Sequence, residues 1–159
     1  MGQSLNLLYT ILALTFLTTH AQNNQTQFLD IHNAIRAQVG VPPLTWNHTL
    51  ASYAQAFADK VKQTCDNMAQ SYGPYGENTA SGYGAFTIDD AVNQWVEEKP
   101  NYDHHLNECR NGTDCSHYTQ VVWKESLFLG CANILCGAGW PFVVCEYYPP
   151  GNVQGKWPY

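Results

Sequence analysis

Six cysteines constrain this chain more than any other feature. They stand at positions 65, 109, 115, 131, 136 and 145. An even number of cysteines in an exported chain predicts three disulfides, which staple a small domain whose core alone is modest. No Cys-x-x-Cys pair occurs, so a zinc ribbon or a redox motif is a poor reading. Export itself is read from the first 21 residues. Met1 to Ala21 holds no Asp, Glu, Lys or Arg, carries an apolar run from Leu5 to Leu17, and ends on the short residues Thr19 and Ala21. That pattern predicts a secretory signal peptide over 1–21, cleaved before Gln22 to leave a single domain over 22–159. The apolar run is interrupted by Tyr9, Thr10 and Thr15, and it falls short of the roughly 20 residues a bilayer-spanning helix needs. Asn-x-Ser/Thr sequons at Asn24, Asn47 and Asn111 agree with an exported surface and are candidate glycosylation sites.

All the charged residues lie beyond residue 21, and the net charge is −6. An acidic, lysine-poor surface argues against nucleic acid and against anionic lipid head groups as partners. No later segment is apolar enough to cross a membrane, so stable membrane insertion is not expected. No linker, repeat or charge block divides the chain. A domain of this size buries about two thirds of its unfolded surface, enough for a real core.

The first half has helical periodicity. Phe28, Ile31, Ile35 and Val39 share one face after Thr26, a candidate N-cap, and Gly40 with Pro42-Pro43 ends the run. A second helix begins near Asn47, with Leu50, Ala54, Phe57, Ala58 and Val61 on its buried face. A third starts at Thr87, where Asp90 stands three residues on in a capping-box pattern, and Pro100 closes it. Its stripe is Ile88, Val92, Trp95 and Val96. The last third changes period. Segments 126–135 and 140–148, separated by Cys136-Gly137-Ala138-Gly139, read as a β-hairpin. A turn centred on Ala138 leaves Cys131 and Cys145 equally far along the two strands, facing each other in a geometry that suits a disulfide. Cys109 and Cys115 are near enough to close a small loop, which leaves Cys65 and Cys136. Helices followed by an antiparallel sheet give an α+β layered domain.

The run Cys115-Ser116-His117-Tyr118-Thr119-Gln120-Val121-Val122-Trp123 is similar to the His-Tyr-Thr-Gln signature of the CAP superfamily, with Ser116 where Gly is usual. A second match is Phe142-Val143-Val144-Cys145-Glu146-Tyr147-Tyr148-Pro149-Pro150-Gly151-Asn152, in which Glu146 replaces the usual Asn. His32-Asn33-x-x-Arg36-Ala37, Val39 to Trp46, Gly73-Pro74-Tyr75-Gly76-Glu77-Asn78, Trp95-Val96-x-Glu98 and the closing Pro158-Tyr159 follow in family order. The chain resembles the plant pathogenesis-related class 1 branch. The resemblance implies a three-layer α-β-α sandwich with a central antiparallel sheet and the pairings 65–136, 109–115 and 131–145.

It also implies a central cleft built by two His and two Glu. Glu77, Glu98 and His117 match three of these positions; Gln70 stands where the remaining His is usual. Zinc favours nitrogen and sulfur donors and takes about three good protein ligands, so loss of one imidazole implies at most a weakly held divalent cation on Glu77, Glu98 and His117. A harder ion such as calcium or magnesium is then no less suited than zinc. The alternative is that these residues only hydrogen-bond across the cleft. His104-His105 reads as a solvated loop, and His32 as a packed, hydrogen-bonded residue of a helix face. No Gly-x-Ser-x-Gly or His-Glu-x-x-His occurs, and no cysteine is free if all three disulfides form, so no catalytic residue is assigned and the chain is not read as an enzyme.

For function the resemblance implies a secreted, monomeric plant defence protein that binds a sterol or other lipid and inhibits pathogen growth. Trp95, Tyr102 and Leu106 are the candidate aromatic and apolar rim for such a ligand; for Trp95, a place in the buried helix stripe fits better. Extracellular proteins or receptors are further possible partners. Pro149 to Tyr159 matches a tail that relatives release as a signalling peptide, and a packed tail is the competing reading. The expected location is the cell-wall space, with the vacuole as the alternative.

Overall fold

The computed structural model describes residues 24–65, 69–137 and 139–159. The expected signal peptide over 1–21 lies outside the described residues, as does Ala138 at the centre of the expected hairpin turn.

Helix α1 covers 24–38, so it begins ahead of the expected cap at Thr26. Its end is as the sequence predicts. The backbone of Gly40 turns left-handed at φ +74°, while its N–H donates to the Ala37 carbonyl and that of Val41 to the Arg36 carbonyl. Asn33 then pins the outgoing chain, accepting from Leu44 N–H and donating to Leu44 O. Strand β1 is only Thr45–Trp46. Helix α2, His48–Val61, is capped by Asn47, whose Oδ1 accepts from Thr49 and Leu50 N–H. Strand β2 is Gly76–Ser81, and α3 is Ile88–Val96 with the full Thr87/Asp90 capping box. A single 3-10 turn carrying Pro100 follows. Strands β3, Tyr102–Asp103, and β4, Glu108–Cys109, form a separate small ladder. Helix α4 is Ser116–Val121, and the hairpin is β5, Phe128–Leu135, with β6, Pro141–Tyr148.

The main sheet runs β1-β5-β6-β2. It is mixed, which corrects the all-antiparallel expectation. β5 pairs antiparallel with β6 and β6 with β2, whereas β1 lies parallel to β5. The long connection from β1 to β5, through α2, β2, α3 and α4, permits that parallel pair; a hairpin would not. Alternation along the strands sends side chains into two cores. Leu129, Cys131, Val143, Cys145 and Tyr147 join residues of α1, α3 and α4 on one face. Ala132, Phe142 and Val144 join Ala54, Phe57 and Ala58 of α2 on the other. The result is a three-layer α-β-α sandwich. All three disulfides link the implied partners, 65–136, 109–115 and 131–145, and Cys131 stands directly opposite Cys145 in the β5–β6 register. No described helix is long and apolar enough to cross a membrane.

Candidate functional site

The cleft is anchored where α3 delivers Glu98 to the start of α4. One Glu98 oxygen accepts from the backbone N–H of His117 at 2.9 Å and of Tyr118 at 3.1 Å. The other accepts from His117 Nδ1 at 2.6 Å. A carboxylate at the first turn of a helix satisfies amides that have no intrahelical partner, and the charge assists each bond. The Glu98 hydrogen bond raises the His117 pKa against the opposing effect of burial. Asp114 stands beside them. Burial pushes its carboxyl up, but hydrogen bonds from Ser116 and the charge of His117 leave it below the usual range.

Among the described residues, Glu98, Asp114 and His117 form the group of potential metal donors, with ligand atoms within 4.8 Å of one another. The donor set fits a tightly held zinc poorly. Both Glu98 oxygens and His117 Nδ1 are already spent on each other and on the α4 amides. What remains is the outer ring nitrogen of His117 and an exposed carboxylate, short of the three good ligands zinc takes. Glu77 is not in that group. It lies on β2, and both its oxygens accept from the Ser71 N–H at 3.1 and 3.2 Å. Gln70 is exposed. Of the four cleft positions expected from the sequence, the structure joins Glu98 to His117 directly and leaves Glu77 tied to the loop before it.

The residue that sequence reasoning passed over is Glu146. It stands opposite Glu77 in the β2–β6 register and is fully buried. Among the described residues, its oxygens have no hydrogen-bond neighbour other than the Glu77 carboxyl. Burial, then the neighbouring Glu77 carboxylate, raises its pKa to about 9. The signal was present as the Asn-to-Glu departure in the second family motif.

A second polar site is buried behind the sheet. His32 Nδ1 donates to the Phe28 carbonyl at 2.7 Å, which leaves Nε2 to accept from the Tyr147 hydroxyl at 2.9 Å. Asn78 donates to that hydroxyl and to the His117 carbonyl. Burial holds His32 neutral, with a pKa lowered to about 4. His104 and His105 are exposed, in the polar loop the sequence predicts.

The expected rim is rearranged. Trp95 is 1% exposed and its indole N–H donates to the Thr79 carbonyl, so it belongs to the core. Tyr102 is 8% exposed, with its hydroxyl donating to Asn107; burial first, and Tyr159 next, raise its pKa to about 12. Leu106 alone of the three is open to solvent, at 62%. It shares its corner with exposed residues of the tail. Trp157 donates to the His104 carbonyl, Asn107 to the Lys156 carbonyl, and the His104 ring stacks on Tyr159. Trp157, tied to this loop through His104, and Val153 are further exposed apolar residues of the tail. The tail is held to the domain by hydrogen bonds along its length. Gly151 N–H donates to Gln120 Oε1, Asn152 bonds Thr119 and Ser116, Lys124 N–H donates to the Pro158 carbonyl, and Tyr118 to the Tyr159 hydroxyl. Of the sequons, Asn24 and Asn111 are exposed, while Asn47 spends its amide oxygen capping α2.

A disulfide-stapled α-β-α sandwich with this Glu-His anchor defines a class. Residues 29–147 match the sequence profile of CAP, the cysteine-rich secretory protein family, and the chain belongs to that family. Within it, the chain is 50% identical over 143 residues to pathogenesis-related protein 1B of Nicotiana tabacum, covering 89% of this chain and 84% of that one. It is 45% identical to pathogenesis-related protein 1 of Arabidopsis thaliana, over 87% and 84% of the two chains. Venom allergen-like protein 4 of Schistosoma mansoni shares the fold at a TM-score of 0.66 and 30% identity, covering 86% of this chain and 93% of that one. These relatives place the chain among plant pathogenesis-related proteins, with a role in defence.

Proposed function

We propose that the protein is exported to the cell-wall space and acts in defence by binding a sterol or related lipid, which restrains pathogen growth, rather than by catalysis. What supports the non-catalytic half is the missing nucleophile. Glu98 holds His117 through Nδ1 and leaves Nε2 free, but every cysteine is tied up in a disulfide and no Gly-x-Ser-x-Gly or His-Glu-x-x-His occurs. The exposed Leu106 and Trp157 support the binding half, Trp157 donating to the carbonyl of His104 two residues from Leu106. Exposed apolar side chains grouped at a rim mark recognition surfaces, and a flat ligand with one hydroxyl needs little more than such walls and one polar partner. Saturable uptake of radiolabelled cholesterol or a plant sterol by the purified mature protein tests it. Uptake should fall severalfold in Leu106→Ala/Trp157→Ala, and no saturable uptake by the wild type would sink the reading.

A further inference from the structure

We propose that the Cys109–Cys115 disulfide is a thiol–disulfide exchange site, and that its opening by a small thiol loosens the grip of the β3–β4 ladder on the tail. The three cross-links differ in what covers them. Cys65, Cys136, Cys131 and Cys145 are all buried. Cys115 is buried too, at 2% exposed, but its partner Cys109 lies with Glu108 on the short strand β4, where both residues are exposed. Exchange requires a thiolate to reach a disulfide sulfur, so Cys109 is the sulfur open to attack. The incoming thiolate bonds to Cys109 Sγ, and the bond to Cys115 breaks with its electron pair. Cys115 leaves as a thiolate that takes up a proton, and a mixed disulfide stands on Cys109. A second small thiol then displaces Cys109, which leaves two protein thiols and one oxidised disulfide of the reductant.

The bridge stands where its loss is felt by the tail. Cys109 pairs with Tyr102 in a ladder of two residue pairs that forms a sheet of its own. Cys115 sits at the head of α4 and packs in the main core, so the disulfide is the covalent tie between ladder and core. The loop joining β3 to β4 holds the tail. Trp157 Nε1 donates to the His104 carbonyl at 3.0 Å, Asn107 Nδ2 donates to the Lys156 carbonyl at 2.9 Å, and the His104 ring stacks on Tyr159 at 4.6 Å. A cavity of about 300 Å³ lies between ladder, α4 and tail, lined by Cys109, Cys115, Thr119, Asn152 and Lys156 among others. It gives both sulfurs room to part. With the bridge cut, β4 keeps only its short ladder and exposed side-chain contacts, and the loop that grips the tail gains freedom. The fold survives the cut. This bridge spans a sequence separation of 6, against 71 and 14 for the others, and the shortest closure restrains the unfolded chain least.

Limited reduction tests the proposal. The purified mature protein is held under native conditions with graded reduced glutathione, free thiols are alkylated, and the modified cysteines are identified by peptide mass spectrometry. Cys109 and Cys115 should be labelled at least about tenfold faster than the other four cysteines, with glutathione captured on Cys109 and not on Cys115. Hydrogen exchange of the opened, alkylated protein should quicken severalfold over 102–109 and 152–157, while β5 and β6 keep their protection. Cys109→Ser/Cys115→Ser should show the same exchange pattern with no reductant present; should that variant fail to fold, the alkylated wild type decides alone. A bridge that resists reduction until the fold is lost, prior opening of either other bridge, a glutathione adduct on Cys115, or unchanged exchange in the tail once the bridge is open would each overturn the proposal.

Discussion

His32 shows how much one buried side chain fixes. Its ring ties α1 to β6 through Tyr147 and stays neutral because burial disfavours the charged form. The unfolded chain takes up a proton near pH 6.5, whereas the folded one resists to about pH 4. Between those values the unfolded state holds more protons, so this group makes stability fall as pH drops through the window, by at most about 1.4 kcal/mol per pH unit. Denaturant titrations of the wild type and His32→Gln from pH 7 to 4 should show the shallower loss in the variant; parallel curves would contradict the assignment. Arg36 is the larger structural anchor. Fully buried, it donates to the carbonyls of Pro42, Val121, Trp123 and Ser126. Arg36→Met should cost about 3 kcal/mol in chemical denaturation by orphaning those carbonyls. The sequence marked both residues through the His-Asn-x-x-Arg motif, and it placed His32 in a packed role. It could not show the carbonyls Arg36 gathers, because three of the four come from a segment some 85 to 90 residues away.

At the scale of elements, what was legible is what has a period or a cap. Helices α2 and α3 begin where Asn47 and Thr87 say they should, and the hairpin register puts Cys131 opposite Cys145. Strand β2 was invisible because Gly76-Glu77-Asn78-Thr79-Ala80-Ser81 has almost no β-favouring residue; its pairing with β6 makes it a strand. Helix α4 has six residues, too few for a periodic signal, and the parallel β1 has two. Glu146 was read as a motif departure, and its meaning emerged only when β2 proved to be its neighbour. Two elements can be tested directly. Thr87→Ala removes the hydroxyl that accepts from Asp90 N–H and should cost about 1 kcal/mol, seen as a lower denaturation midpoint. Gly130→Ala forces a methyl into the α2 backbone, 2.1 Å from Ala51 N. Neither chain can yield locally, so the loss should be about 3 kcal/mol or more; a variant as stable as wild type would mean that α2 does not lie on β5 this closely.

For the whole molecule, the cross-links and the tail divide the work. The 65–136 disulfide spans a sequence separation of 71 residues and joins the end of α2 to the hairpin, a closure that contributes about 4 kcal/mol in the chain-entropy view. No disulfide reaches the tail beyond Cys145. Its attachment is therefore noncovalent, through Gln120, Thr119, Ser116, Lys124 and Tyr118. Each of these residues belongs to or borders α4, whose first turn Glu98 holds. The tail thus holds α4 along its length while Glu98 holds its first turn, and releasing 149–159 would loosen the anchor as well as uncover Tyr118. A chain ending at Tyr148 forfeits at least three hydrogen bonds to α4, worth about 1 kcal/mol each, before any lost ring packing is counted. Its unfolding free energy should fall by about 3 kcal/mol or more, and the amides of α4 should exchange hydrogen faster while those of β5 and β6 change little. If the truncated chain matched the full one on both measurements, the tail would be an ornament held loosely enough for release as a peptide, and the clamp on α4 would rest on Glu98 alone.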